Sequence, residues 1–109
     1  MVEGLWIVQF EGLQGEGAGV IVLVNGRALG GDEAYTYEGH YAVADTNVLN
    51  ARVKVSNFRP EFGNVMGIKG DYELEITAPV KDGVVQGTMC LIGQSDMGIA
   101  VRLTKKANL

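Results

Sequence analysis

GVIVLVNGRALGGDEAYTYEGHY, residues Gly19 to Tyr41, decides how the rest of the chain is read. Val20 to Val24 is a short continuous apolar run rich in β-branched side chains, which reads as a strand. Asn25-Gly26 follows, and both residues accept the positive φ of a type I′ hairpin turn. Arg27-Ala28-Leu29 returns along the first strand, and Gly30-Gly31-Asp32 breaks it. A third strand then alternates, with Tyr35, Tyr37, Gly39 and Tyr41 on one face and Thr36, Glu38 and His40 on the other. No helix fits between strands this close together.

The same period runs outward in both directions. Gly4 to Phe10 is a first strand, with Trp6, Val8 and Phe10 on one face and Leu5, Ile7 and Gln9 on the other. Gly12 to Gly17 reads as loop, Ala18 to Val24 with Arg27 to Leu29 as the hairpin, and Ala34 to Ala44 as strand four. Asp45-Thr46-Asn47 has turn chemistry, because Asp and Asn bond their own backbone and tolerate left-handed geometry. Val48 to Asn57 is a half-buried strand with Leu49, Ala51, Val53 and Val55 inward. Phe58 to Gly70 has no steady period and reads as a long loop with an extended piece at Asn64 to Ile68. Tyr72 to Ala78 alternates again, Asp82-Gly83 signals a hairpin, and Val84 to Ile92 is strand seven. Gln94-Ser95-Asp96 turns the chain into Gly98 to Thr104, with Ile99, Val101 and Leu103 inward.

Residues 1–109 therefore read as a single all-β domain of about eight short strands, without an amphipathic helix. Sequential hairpins make a meander, and a meander rolled into an antiparallel up-and-down barrel loses its edges. A barrel of this strand number holds side chains or one small ligand. The alternative is a two-sheet sandwich, whose Greek-key crossings fit the short connections less well.

A formal net charge of −4 and the absence of clustered Lys and Arg exclude a nucleic-acid footprint. The single Cys90 cannot form an internal disulfide, and its apolar neighbours make it a small core residue rather than a reactive thiol. The opening MVEGLWIVQFEG lacks a basic leader region, and no apolar run approaches the roughly 20 residues of a membrane helix. The expected address is the cytoplasm, with no membrane partner.

Chemistry-bearing patterns are few. Gly15-Glu16-Gly17-Ala18-Gly19 looks like a phosphate loop, but a strand follows where the dinucleotide fingerprint needs a helix. His40, the only histidine, has no second His and no Cys cluster nearby to make a zinc site, and no paired nucleophile to make a triad. Glu73 and Glu75 share a face that points to water beside basic residues. Tyr35, Tyr37 and Tyr41 make a stripe that reads as core with satisfied hydroxyls before it reads as a ligand surface. No catalytic residue, metal ligand or cofactor is expected.

Two resemblances follow from these residues. Gly4-Leu5-Trp6 at the opening of the first strand resembles the G-x-W of lipocalins, which implies that Trp6 closes one barrel end with Arg102 of the last strand packed across it. More broadly, the run Asn25-Gly26, Gly30-Gly31-Asp32, Tyr37-x-Gly39, with Gly15-Glu16-Gly17 before it and Asp71-Tyr72-x-Leu74-x-Ile76 after it, resembles the GrlR-like family. Members are negative regulators of type III secretion with a lipocalin-like barrel. The resemblance implies a non-enzymatic regulatory protein that binds a protein partner, a transcriptional activator in the best-known member. That member carries acidic residues in the loop matching Ala44 to Asn47, where this chain has Asp45 as the only acid. Asp45, Thr46 and Asn47 are then the candidate partner-binding loop.

Two further expectations concern the faces of the barrel. An apolar outer face built from Leu5, Ile7, Ile21 and Leu23 predicts a homodimer. Trp6, Val8, Val22, Tyr37, Tyr41, Val53, Leu74, Met89 and Val101 are expected inside, where a small apolar molecule is the alternative cargo. An empty interior of several hundred cubic ångströms would favour that alternative, and a filled one the regulator.

Overall fold

The computed structural model describes residues 2–12, 15–59 and 71–109, with only the backbone described for residues 12 and 94–97. Eight antiparallel strands follow one another around a closed barrel: β1 Gly4–Gly12, β2 Gly15–Val24, β3 Arg27–Gly31, β4 Tyr35–Val43, β5 Val48–Asn57, β6 Tyr72–Lys81, β7 Val84–Leu91 and β8 Gln94–Asn108. β8 returns to pair with β1, from Gly4 against Asn108 to Glu11 against Ala100, so neither strand is left as an edge. The expected up-and-down barrel is the observed fold. The expected loop from Phe58 to Gly70 and its extended piece at Asn64 to Ile68 lie, beyond Arg59, outside the described residues.

The turns have the chemistry the sequence announces. Asn25 and Gly26 both have positive φ (49° and 78°), as do Asp82 and Gly83 (53° and 72°). These are type I′ hairpins, whose backbone twist matches that of the strands they join. Asn47 closes the β4–β5 turn at φ 59°, and its carbonyl accepts from the Val80 N–H at 2.8 Å, tying that turn to β6.

Several boundaries differ from expectation. Gly15 to Gly17 is strand, because Gly12 to Phe10 supplies its hydrogen-bond partners. The last turn sits at Ile92-Gly93, with Gly93 at φ 87°, and residues 94–97 already belong to β8. A residue that accepts positive φ without strain fixes the turn more firmly than the polar Gln94-Ser95-Asp96 run does.

The inner face of β2 is reversed from expectation. Trp6 pairs with Ile21 and Gly4 with Leu23, so Ile21 and Leu23 share the buried face and are 7% and 4% exposed. Val22 faces outward between Leu5 and Leu29, and Val20 is exposed. An apolar run has no polar side to announce its orientation; the turn sets it instead. Val24 pairs with Arg27 across Asn25-Gly26, so the exposed Arg27 carries Val24, Val22 and Val20 outward with it. Cys90 also departs from its expected core position, since it pairs with Glu75 on the outer face and is half-buried.

The barrel is packed at one end. Trp6, Leu49 and Val85 are the largest fully buried side chains. The Trp6 indole N–H donates to the Val2 carbonyl at 2.8 Å, so its one polar atom is satisfied within the plug. The cation across Trp6 is Lys105, with Nζ 6.0 Å from the ring centroid. Arg102, expected there, is exposed on the outer face beside Gln9 and Gln86 and donates to Gln86 at 3.3 Å. The alternation of β8 explains this: Val101 and Leu103 point in, so Arg102 points out.

Gly39 shows why the Tyr-x-Gly step is needed. It lies on the inner face between Ala28 and Val53, where the sheet bends so tightly that a Cβ would sit 1.9 Å from the Arg52 carbonyl oxygen and 2.8 Å from the Val53 Cα. Both obstacles are backbone and cannot move aside without opening the β4–β5 ladder. Gly39→Ala is therefore expected to destabilise the barrel by about 2–3 kcal/mol, the upper part of the overpacking range. Chemical denaturation of the two proteins measures this; a change below about 0.5 kcal/mol would show that the bend is not held by this contact.

Candidate functional site

The described core is not solid. A cavity of about 570 Å³ occupies the barrel from Leu49 at the plugged end to Tyr35, Tyr37 and Tyr72 at the other. Its wall is built from alternate residues of successive strands: Val8, Ile21, Ala28, Val53, Leu74, Met89 and Val101 all line it. Glu16 and Glu33 border it and are exposed, so the cavity reaches the surface at the end where β1 meets β2 and β3 meets β4.

Among the described lining residues, the polar and charged side chains lie at that mouth. Asp32 organises it. One carboxylate oxygen accepts the backbone N–H groups of Ala34 and Tyr35, each at 2.9 Å, and the Asp32 N–H donates to the Tyr35 carbonyl at 2.9 Å. This is the Asx turn that the short side chain of Asp can make, and it starts β4. The other oxygen accepts the Tyr37 hydroxyl. The Tyr35 and Tyr72 rings stand 6.4 Å apart at 57°, a tilted pair across the same mouth.

Burial, then the hydrogen bond and the charge of Asp32, push the Tyr37 phenol far above the usual range. Burial, then Tyr35 and Asp32, push Tyr72 up to about 12. Both hydroxyls are thus neutral groups that can donate or accept a hydrogen bond at the cavity mouth over the whole physiological range.

Of the residues expected inside, Val8, Tyr37, Val53, Leu74, Met89 and Val101 line this cavity. Trp6 belongs to the plug, Tyr41 is half-buried against the core, and Val22 is outside. Ile21 and Leu23, expected on a dimer face, line the cavity instead. Sequence reasoning missed Asp32 as a site residue. The available signal was its position between a strand-ending Gly-Gly and a Tyr-x-Tyr, where one carboxylate can cap the turn and still reach the second tyrosine.

The remaining candidates lie elsewhere. Asp45, Thr46 and Asn47 are exposed at the plugged end, remote from the mouth. His40 is exposed on the outer face of β4, between Arg27 and Arg52 in register. Glu75 pairs with Arg52 at 3.5 Å and Glu73 lies opposite Lys54, an exposed ladder of opposite charges. Among the described residues, no group of three or more His, Cys, Asp or Glu could hold a metal ion, and no helix is long and apolar enough to cross a membrane.

Comparison of the chain with protein-family models finds no match, and comparison with curated proteins finds none either.

Because Tyr37 and Tyr72 hold their protons more tightly folded than unfolded, the stability they contribute is complete below pH 10 and falls as the pH rises above it. For Tyr72 the loss runs between the unfolded value of 10.0 and the folded value of about 12. Tyr72→Phe is expected to change stability at neutral pH by no more than about 1 kcal/mol and to make the alkaline decline shallower. Denaturant midpoints across this range check it; parallel declines would assign the loss to other groups.

Proposed function

We propose that the chain is a non-enzymatic binding protein whose interior takes one small apolar molecule. The observation that carries this reading is the cavity of about 570 Å³, apolar along its walls, polar only at its mouth and plugged at its far end. Its volume falls inside the range of pockets that enclose small ligands, and the few polar groups at one end would fix a ligand's orientation. Of the two outcomes weighed from the sequence, an empty interior is the one that favours cargo.

A regulatory role is the second reading, favoured by the resemblance of the N-G, G-G-D and Y-x-G run to the GrlR-like family. On this reading a protein partner, a transcriptional activator on the family's pattern, meets the outside of the barrel. The two readings are compatible, because ligand and partner would use opposite faces of the same strands. The outside offers an apolar surface for either a partner or a second copy. Leu5, Val22 and Leu29 form a row across β1, β2 and β3, and Ile7 and Val20 form the next. Val20 is 44% exposed. The homodimer proposal therefore rests on Leu5 and Ile7 with Val20 and Val22, in place of Ile21 and Leu23.

The interior reading is tested with a neutral, environment-sensitive apolar fluorophore. One molecule is expected to bind per chain, with Kd in the micromolar range typical of a site this size, about 1–10 µM. Val53→Phe, which fills the middle of the cavity, should weaken binding by about tenfold or more while the protein stays folded. Equal binding by this variant would place the fluorophore elsewhere. The outer surface is tested by sedimentation: Val22→Lys should convert a dimer to a monomer while the β circular-dichroism spectrum is kept, and the thermal midpoint should lose its dependence on protein concentration. A wild-type chain that is already monomeric at high micromolar concentration would remove the homodimer.

A further inference from the structure

We propose that the cavity selects amphiphiles with a cationic head, an alkyl chain of about a dozen carbons ending in an ammonium group, over the corresponding carboxylates. This rests on the interior reading above and adds to it the sign of the head group.

The tail follows from the wall. On β5 the lining runs from Leu49 through Ala51 and Val53 to Val55. Six residue steps at roughly 3.3 Å, with barrel strands tilted by about 40°, give a depth of about 15 Å. Carbon–carbon bonds of about 1.5 Å in an extended zigzag advance roughly 1.25 Å each, so about a dozen carbons span it. Leu49, fully buried at the floor, sets the end stop.

The head follows from the mouth. No Lys or Arg is found among the described residues lining the cavity, whereas Glu16, Asp32 and Glu33 border it. Beyond the lining, Glu11 stands opposite Glu16, and Asp71 precedes β6 at the same end, with Arg59 the one basic side chain described there. A carboxylate head would enter against this excess of negative charge and meet no cation among the described residues that line the cavity. An ammonium head would be drawn in by it, because low-dielectric walls focus the field of like charges at a cleft. The Asp32 carboxylate accepts from three donors, two N–H groups of its own turn and the Tyr37 hydroxyl, and those contacts hold its charge in place at the rim. The aromatic rings of Tyr35, Tyr37 and Tyr72 at the same level provide the faces on which an alkylammonium group rests.

The test displaces bound N-phenyl-1-naphthylamine, a neutral apolar fluorophore, with dodecyltrimethylammonium, dodecanol and dodecanoate at low salt, each below its micelle concentration. The cation should displace the fluorophore at about tenfold lower concentration than the carboxylate, the size expected of a few partly screened charge contacts, with the alcohol between them. The preference should shrink with added salt and should largely vanish in Asp32→Asn combined with Glu16→Gln and Glu33→Gln. Asn at position 32 keeps a turn-capping oxygen. If the triple variant does not fold, Glu16→Gln with Glu33→Gln at the exposed rim and the salt dependence of the native chain carry the same comparison. Equal displacement by all three amphiphiles, or preference for dodecanoate, overturns the head-group assignment and leaves the interior reading standing. Failure of the neutral fluorophore to bind at all removes both.

Discussion

The ladder between β1 and β8 is the constraint on which the rest of the molecule depends. It joins the two ends of the sequence, from Gly4 against Asn108 to Glu11 against Ala100, with one irregularity between Leu5 and Trp6. Without it the meander would be an open, strongly twisted sheet with two unpaired edges and an uncovered apolar face. With it every described strand has two neighbours, and the alternate residues of all eight are enclosed together. The irregularity beside Trp6 falls at the plugged end, where the indole is fully buried and Val2 accepts its N–H. Closure and plugging therefore occur at the same place, made by residues from opposite ends of the chain.

The cavity follows from how that closure is filled. Large side chains cluster at one end, with Trp6, Leu49 and Val85 in contact with little or no solvent. Further along, the inward positions include Ala28, Gly30, Gly39 and Ala51. Gly30 and Gly39 are there because the backbone of the next strand comes too close for a Cβ: the Val20 carbonyl oxygen would lie 2.0 Å from one and the Arg52 carbonyl oxygen 1.9 Å from the other. Bending of this kind closes a small barrel. Ala28 and Ala51 line the cavity, and their short side chains leave the middle of the interior short of volume. The polar groups then gather at the mouth, where Asp32 can cap a turn and hold Tyr37 without taking a charge into the apolar walls.

Inside and outside are consequently two separate chemical surfaces carried by the same strands. The inner surface is apolar along its walls and ends in carboxylates and tyrosines. The outer surface has two characters. Around β4, β5 and β6 it is a ladder of exposed charges, including Arg52 with Glu75 and Lys54 with Glu73. Pairs this exposed contribute little to stability and chiefly keep the surface in water. Around β1, β2 and β3 it is apolar, with Leu5, Val22 and Leu29 in one row. This apolar region lies on the opposite side of strands whose inner faces line the cavity.

The sequence by itself determined the strand number, the hairpins and the meander. Period-two alternation needs only one polar and one apolar side, which Leu49 to Val55 and Tyr72 to Ile76 supply, and Asn25-Gly26 and Asp82-Gly83 specify their turns through backbone sterics alone. Three things waited for the tertiary structure. The orientation of β2 was hidden because Val20 to Val24 is apolar on both sides, and pairing across the turn with the exposed Arg27 resolves it. The cation at Trp6 is Lys105 and not Arg102 because Lys105 continues the inward series of Val101 and Leu103 and stands opposite Trp6, a pairing set by how β8 registers against β1. The cavity, with Asp32 at its mouth, is a volume left between residues far apart in the chain, and local patterning carries no measure of how completely eight inward faces fill the space they enclose.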